Sequence, residues 1–203
     1  MRCTAFRTAI PLATASLVLT GIGFAAPSMA NEPNTSAGEL VRYASATDAL
    51  PSTAWARVRS IETGSGKTVV TLQVRGFTAD ATYGAHVHYK ECGAATAPLA
   101  PGAHYQNVVD PAVLLAAAIP PVRDFETIAS VDPAFANPDN EAWLDLITDN
   151  EGNGSAQTVV DWQFRGDAPV TRSVIIHRDH TSPGGTPPAG NAGPRLGCLS
   201  AAF

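Results

Sequence analysis

YGAHVHY, residues 83–89, is the most informative segment of this 203-residue chain. Its valine and tyrosines favour a β-strand, in which side chains two positions apart point to the same face. His86 and His88 therefore lie side by side, roughly 6–7 Å apart at about 3.3 Å per residue. The chain has only five histidines, and two of them share this strand face. The segment predicts two imidazole rings that can converge on one metal ion.

Short stretches of alternating apolar and polar residues surround this segment. In 68–75, Val70, Leu72 and Val74 fall on one face, and a turn at 66–67 would join this strand to the preceding one. Strands and helices do not alternate along the chain. We therefore predict an all-β fold, a Greek-key antiparallel β-sandwich or barrel of about eight strands. The predicted strands are 54–62, 68–75, 83–89, 141–148, 155–164 and 173–177, with a final segment at 195–203.

A long loop is predicted between Cys92 and Asn140, where alanine, proline and glycine are abundant. Only 112–118 could form a short helix, and Pro120-Pro121 would end it. An irregular segment of this length inside a compact domain usually serves a function.

Residues 1–30 have the pattern of a secretory signal peptide. A start with two arginines and no acid precedes the almost wholly apolar run 9–27, and cleavage is expected after Ala30. An N-terminal membrane anchor is the alternative. We expect 31–39 to be disordered and 40–203 to form one domain, secreted or otherwise outside the cytoplasm.

The charge of the mature chain restricts its partners. Without Arg2 and Arg7, 11 basic residues remain against 18 acidic ones, a net charge near −7. This argues against nucleic acid or an anionic membrane as partner, and no later segment is long and apolar enough to span a bilayer. The oligomeric state stays open.

The cysteines predict one disulfide. Cys3 would leave with the signal peptide, so Cys92 and Cys198 form an even pair in an exported protein. Two free buried thiols are the alternative.

Two further histidines could join the pair on the strand. His104 lies in the long loop and His177 ends a predicted strand, and both could meet His86 and His88 at one rim of the sandwich. Four imidazoles suit Cu(II) and three suit Cu(I), although zinc also accepts such a set. Scattered surface histidines are the alternative, and His180, in a polar loop, is expected to be one.

Several motifs together resemble the copper/zinc superoxide dismutase family. They occur in the family's order and cover most of the chain from Leu40 to Phe203, and jointly they are specific. The matching motifs are Gly76-Phe77-Thr78, Gly84-Ala85-His86-Val87-His88, Gly102-Ala103-His104-Tyr105, Val174-Ile175-Ile176-His177 and, most similar of all, Gly190-Asn191-Ala192-Gly193-Pro194-Arg195-Leu196-Gly197-Cys198.

The resemblance implies a role for each matched residue. Arg195 would attract and orient superoxide, His104 would release copper and take up a proton during turnover, and Cys92–Cys198 would be the intrasubunit disulfide. The copper ligands would be His86, His88, His104 and His177.

One departure from the family pattern concerns zinc. The family places two further histidines and an aspartate after the bridging histidine, whereas no histidine lies between His104 and His177. The chain therefore resembles a copper-only, bacterial-type branch, and zinc is expected to be absent. A carboxylate would then hold the far nitrogen of His104, with Glu141 the first candidate and Asp145 the second. A solvated edge position is the alternative for Glu141, and a surface ion pair is the alternative for Arg195.

The implied activity is disproportionation of superoxide, a small-molecule substrate, to dioxygen and hydrogen peroxide. A non-catalytic copper-binding or copper-delivery module on the same scaffold is the main alternative. It would need the four histidines but not Arg195, so the presence of Arg195 favours the enzyme. A metal-free structural relative is disfavoured because all four ligand positions are filled.

Overall fold

The structure, a computed structural model, describes residues 32–46, 49–166 and 170–203. Two antiparallel sheets pack into a sandwich, which confirms the predicted all-β class. The elements are β1 (Asn34–Glu39), β2 (Val41–Arg42), β3 (Trp55–Glu62), β4 (Thr68–Arg75), β5 (Thr82–His88), α1 (Pro111–Ala118), β6 (Leu146–Ile147), β7 (Gly154–Val160), β8 (Thr171–His177) and β9 (Arg195–Ala202).

The connections cross repeatedly between the sheets. One sheet has the order β1-β3-β4-β7 and the other the order β2-β9-β8-β5-β6. β4 and β7 are neighbours although β5 and β6, which separate them in sequence, belong to the opposite sheet. The first sheet is called the four-stranded sheet below, and the second the five-stranded sheet.

The core lies between the sheets because each strand alternates its side chains. In β4, Val70, Leu72 and Val74 are buried, and in β5 Ala85 and Val87 face the same core. Burying side chains of this size stabilises a fold by about 1.5–3 kcal/mol each. The alternate residues of β5 must then point to the outer face of the five-stranded sheet, which is where the loops lie.

The disulfide fixes the start of the long loop. Cys92 and Cys198 are bonded, with their Cα atoms 5.8 Å apart, so the loop begins against β9. Within the loop, the Asp110 side chain caps α1 by accepting from the Ala112 N–H at 2.8 Å. In the described ranges, no helix has both the length and the apolar character to cross a membrane.

Two predictions need correction. Disorder was expected over 31–39, but Asn34–Glu39 forms β1, because its backbone pairs with β3 along its whole length. A regular strand was expected over 141–148, but only Leu146–Ile147 forms a strand; the residues before it bond singly to different neighbours. The predicted signal peptide lies outside the described residues.

Candidate metal centre

β5 places His86 and His88 on the outer face of the five-stranded sheet. Their neighbours Ala85 and Val87 point into the core, so both imidazoles project into the space beneath the loops. The ring centroids are 6.3 Å apart, which agrees with the spacing predicted from the strand. Both side chains are fully buried.

His177 reaches the same face from β8. It is the register partner of Gly84, which lies two residues before His86 and therefore on the same face. A Cβ at Gly84 would overlap the Asp179 carbonyl oxygen, so a glycine leaves room for the chain after His177. An irregularity between Ile176 and His177 makes Arg195 of β9 the partner of His177.

His104 comes from the long loop. The loop runs along β5 here: the Tyr105 N–H donates to the Val87 carbonyl at 2.8 Å, and His104 is the bridge partner of His88. Bridge partners point their side chains to the same face of a sheet. The backbone pairing therefore directs the fourth imidazole toward the other three.

The four imidazoles form one cluster. Each contributes one nitrogen, and these four atoms lie within 4.8 Å of one another. The ring centroids of His86 and His104 are 4.0 Å apart. Nδ1 of His86 and Nε2 of both His88 and His177 are buried without a hydrogen-bond partner. Buried polar atoms are rarely left unpaired, so these three nitrogens fit the donor atoms of a metal site.

Hydrogen bonds on the far side of each ring fix the tautomers. Nδ1 of His88 donates to the Gly102 carbonyl at 3.0 Å, and Nδ1 of His177 donates to the Gly193 carbonyl at 3.1 Å. The Thr181 hydroxyl donates to Asp145 at 2.6 Å and so accepts from Nε2 of His86. Each proton therefore points outward, and each lone pair points into the cluster.

Glu141 supports the fourth histidine. One carboxylate oxygen accepts from Nδ1 of His104 and from the indole N–H of Trp143, both at 2.8 Å. The other oxygen accepts from the Gln106 amide at 2.9 Å. Glu141 is 1% exposed, so three donors replace its hydration shell. Nε2 of His104 is left free to face the cluster.

Gln106 connects this carboxylate to the long loop. While its amide nitrogen donates to Glu141, its amide oxygen accepts from the Asp110 backbone N–H at 3.3 Å. The Asp110 carboxylate also accepts from the Ser130 hydroxyl at 2.6 Å. A buried chain of hydrogen bonds therefore joins His104 to the capped start of α1.

Asp145 serves a different histidine from the one expected. Its carboxylate accepts from the Thr181 hydroxyl and from the backbone N–H groups of Ala85 and Thr181, at 2.6–2.9 Å. It orients His86 through Thr181 and makes no contact with His104. The exposed His180 lies outside the cluster and approaches Asp145 at 2.9 Å.

Arg195 is held beside the cluster. Its guanidinium donates to the Pro98 carbonyl at 2.8 Å and to the Gly102 carbonyl at 2.6 Å. The same Gly102 oxygen accepts from His88. Burial lowers the pKa of Arg195 from its ordinary value, but a guanidinium remains charged near neutral pH. A fixed positive charge therefore lies one carbonyl group away from a cluster histidine.

A narrow cleft lies beside His104 and Glu141. It has a volume of about 110 Å³ and is lined by His104, Glu141 and the segments 129–131 and 189–191. The side chain of His104 is 14% exposed, whereas those of His86 and His88 are fully buried. His104 is therefore the cluster histidine that lies nearest the surface.

Burial keeps three of the four cluster histidines uncharged. Burial, reinforced by the neighbouring His104, lowers the pKa of both His86 and His88 well below the usual range. The same two causes lower the pKa of His177 to about 3. Neutral imidazoles are the form that binds a metal. In the described part of the chain, these four histidines are the one set of three or more possible ligands close enough to hold an ion.

The sequence identified the four histidines, and the structure brings all four together with Arg195 and Glu141 nearby. The sequence alone did not identify Thr181, Trp143 or Gln106. Trp143 could have been found, since residues 141, 143 and 145 share one face of an extended segment. Backbone acceptors such as the Gly102 carbonyl carry no signal in a sequence, because every residue has one.

The fold and the site define a β-sandwich protein with a four-histidine cluster that could bind copper. No protein-family model and no curated protein sequence matches the chain. Solved structures do match. The clock protein EA4 is similar over 84% of this chain and 96% of its own, with a TM-score of 0.51 and 17% identity. The Cu/Zn superoxide dismutase from Brucella abortus is similar over 83% of this chain and 98% of its own, with a TM-score of 0.49 and 16% identity. At 17% identity, the likeness to EA4 is one of fold.

Proposed function

We propose that this protein is a copper-dependent superoxide dismutase with a single-metal site, acting outside the cytoplasm. The observation that carries the proposal is the set of three buried, unpaired imidazole nitrogens that converge with a fourth imidazole. Four nitrogen donors suit Cu(II), and three of the four imidazoles would suffice for Cu(I). The ligands would be His86, His88, His104 and His177.

Copper in this cluster would supply reversible one-electron chemistry, by which one superoxide is oxidised to dioxygen and a second is reduced and protonated to hydrogen peroxide. His104 would contribute a proton at Nε2. The Nδ1 proton stays on the imidazole and is donated to Glu141, so a second proton at Nε2 would give an imidazolium next to a carboxylate. As the most exposed cluster histidine, His104 would be able to pass this proton to the substrate.

Arg195 would attract and orient the substrate. Its guanidinium is a permanent charge with forked donors, and two carbonyl groups hold it in place. The chain as a whole is negatively charged, so a local field near the cluster must attract superoxide.

The contact between Glu141 and His104 supports a copper-only site. In a two-metal site, the second nitrogen of the bridging histidine would bind zinc. Here that nitrogen donates to Glu141, whose two oxygens already accept from three donors. A carboxylate behind a ligating histidine orients the ring and raises its basicity.

The Cys92–Cys198 disulfide supports an oxidising compartment. Together with the predicted signal peptide, it leads us to place the protein outside the cytoplasm.

Metal loading of the mature protein tests the proposal. We expect one copper per chain, a Cu(II) spectrum with nitrogen hyperfine structure, and rapid superoxide decay in a stopped-flow assay. His88→Ala should lose the copper, whereas the matched control His180→Ala, outside the cluster, should keep it. Tight copper without turnover would show a copper-binding module instead. Failure to bind stoichiometric copper would reject both the dismutase and the copper-binding module. Zinc retained beside copper would reject the single-metal site.

A further inference from the structure

Exposed arginines occupy the outer face of the four-stranded sheet, on the other side of the core from the histidines. Arg57 and Arg59 project from β3 and Arg75 from β4. The strand register sets Arg57 opposite Gln73 and Trp55 opposite Arg75. Diagonal neighbours across an antiparallel pair are about 7–8 Å apart, so Arg57 and Arg75 stand close enough to act on one ligand.

Arg57 and Arg75 line a groove of about 480 Å³, whereas Arg59 lies outside it. That volume lies within the range of small-ligand sites. Apart from the indole of Trp55, the side chains that offer contacts to a ligand are polar: Arg57, Gln73, Arg75, Asn153 and Ser155. The groove thus combines cationic groups with amide and hydroxyl groups.

The positive charges in the groove are not neutralised. Within the described residues, neither Arg57 nor Arg59 has a hydrogen bond or an ion pair. By contrast, Lys67, just before β4, pairs with Asp161, just after β7, at 2.6 Å. The guanidinium of Arg75 lies 3.9 Å from the centre of the Trp55 ring, which holds it in place without cancelling its charge.

The groove also contains one acidic residue, Asp149, whose carboxylate accepts hydrogen bonds within its own turn. Asp149 accepts from the backbone N–H groups of Glu151 and Asn153, at 2.9 and 2.8 Å, within its own turn. These bonds hold the pKa of the Asp149 carboxyl below its usual range, chiefly the bond from Asn153. In the described ranges Asp149 forms no ion pair with Arg57 or Arg75, so their two positive charges outnumber its single negative charge and remain available to an outside anion.

We propose that this groove binds an acidic oligosaccharide, of the kind built from uronic acids. Arg57 and Arg75 pair with carboxylates through their forked donors, while Gln73, Asn153 and Ser155 exchange hydrogen bonds with the sugar hydroxyls. Nucleic acid would need a longer basic track than two guanidiniums, and the protein is acidic overall. The groove and the histidine cluster lie on opposite sheets, so this binding is independent of the proposed dismutase activity.

Calorimetric titration of the mature protein with trigalacturonic acid tests the proposal. The neutral trisaccharide maltotriose and the acidic peptide triglutamate serve as matched probes. We expect binding of trigalacturonic acid that weakens as salt rises, with much weaker binding of the other two. Equal binding of triglutamate would overturn the sugar as ligand, and no binding of trigalacturonic acid would overturn the site.

Charge-matched variants locate the binding. Arg57→Gln and Arg75→Gln should each weaken trigalacturonic acid binding on the order of tenfold, because each removes a charge-assisted contact. Arg59→Gln removes the same charge two residues further along β3, outside the groove, and should change the affinity less than about twofold. Equal losses in all three variants would show only general attraction and overturn the groove as the site. Circular dichroism checks the fold of each variant.

Discussion

Replacing Glu141 with glutamine would leave a buried donor without an acceptor. The carboxylate accepts three hydrogen bonds, from His104, Trp143 and Gln106. A glutamine has one acceptor oxygen and two amide hydrogens of its own, so at least one donor would face an N–H group. An unsatisfied buried donor costs about 1–3 kcal/mol. For a domain of this size, that corresponds to a fall in Tm of about 2–12 °C.

The same variant should weaken copper binding. Without the carboxylate behind it, His104 loses both its fixed orientation and part of its basicity, which typically costs about 10–100-fold in metal affinity. Competition with a chromogenic copper chelator measures the affinity, and thermal unfolding of the metal-free protein measures the Tm. Glu151→Gln, in an exposed turn, is the charge-matched control. If Glu141→Gln matched this control in both measurements, the reasoning about the buried carboxylate would be wrong.

Four further changes test other parts of the site. Arg195→Gln should slow superoxide decay at least about tenfold and flatten its dependence on ionic strength; an unchanged salt profile in the stopped-flow assay would contradict the steering role. Gly102→Ala would bring a methyl group against the Glu126 carbonyl oxygen, at a residue whose φ of 76° already favours glycine. The resulting shift of the Gly102 carbonyl, which holds His88, should lower copper affinity about tenfold in chelator competition. Replacing Cys92 and Cys198 with serine should cost about 4–5 kcal/mol in urea unfolding, since the bond closes a separation of 106 residues. The metal-free protein should lose stability below about pH 6.5, because histidines of the unfolded chain bind protons there and the buried histidines do not. His177, with its pKa lowered to about 3, accounts for about 2 kcal/mol of this loss at pH 5. Equal urea midpoints at pH 5 and pH 7 would refute this prediction.

The sequence predicted the parts of the site that depend on strand periodicity. His86 and His88 share a face because they are two residues apart in a strand, and this holds whatever the rest of the fold does. That His104 and His177 could meet them at one rim of the sandwich was a possibility from the strand order, and the family resemblance then implied it. Local pattern alone could not supply it, because backbone pairing across distant segments brings these residues together.

Other features depend on tertiary contacts that no local pattern reveals. β1 consists of small and polar residues with little strand preference, and only its pairing with β3 makes it regular. The alternation of β4 predicted that Arg75 points outward, but only the register shows that Trp55 stands beside it. Asp145 illustrates a third case, since its nearness in sequence to Glu141 suggested the same histidine and the structure gives it another.

The Gly102 carbonyl is one acceptor shared by two donors with different tasks. It holds the His88 ring and it anchors the Arg195 guanidinium. A loop substitution that shifts this oxygen would therefore alter both the proposed copper site and the position of the Arg195 guanidinium. In a library of variants of this loop, copper affinity and salt dependence of turnover should change in parallel. Changing copper affinity or salt dependence alone would require a substitution at His88 or Arg195 itself.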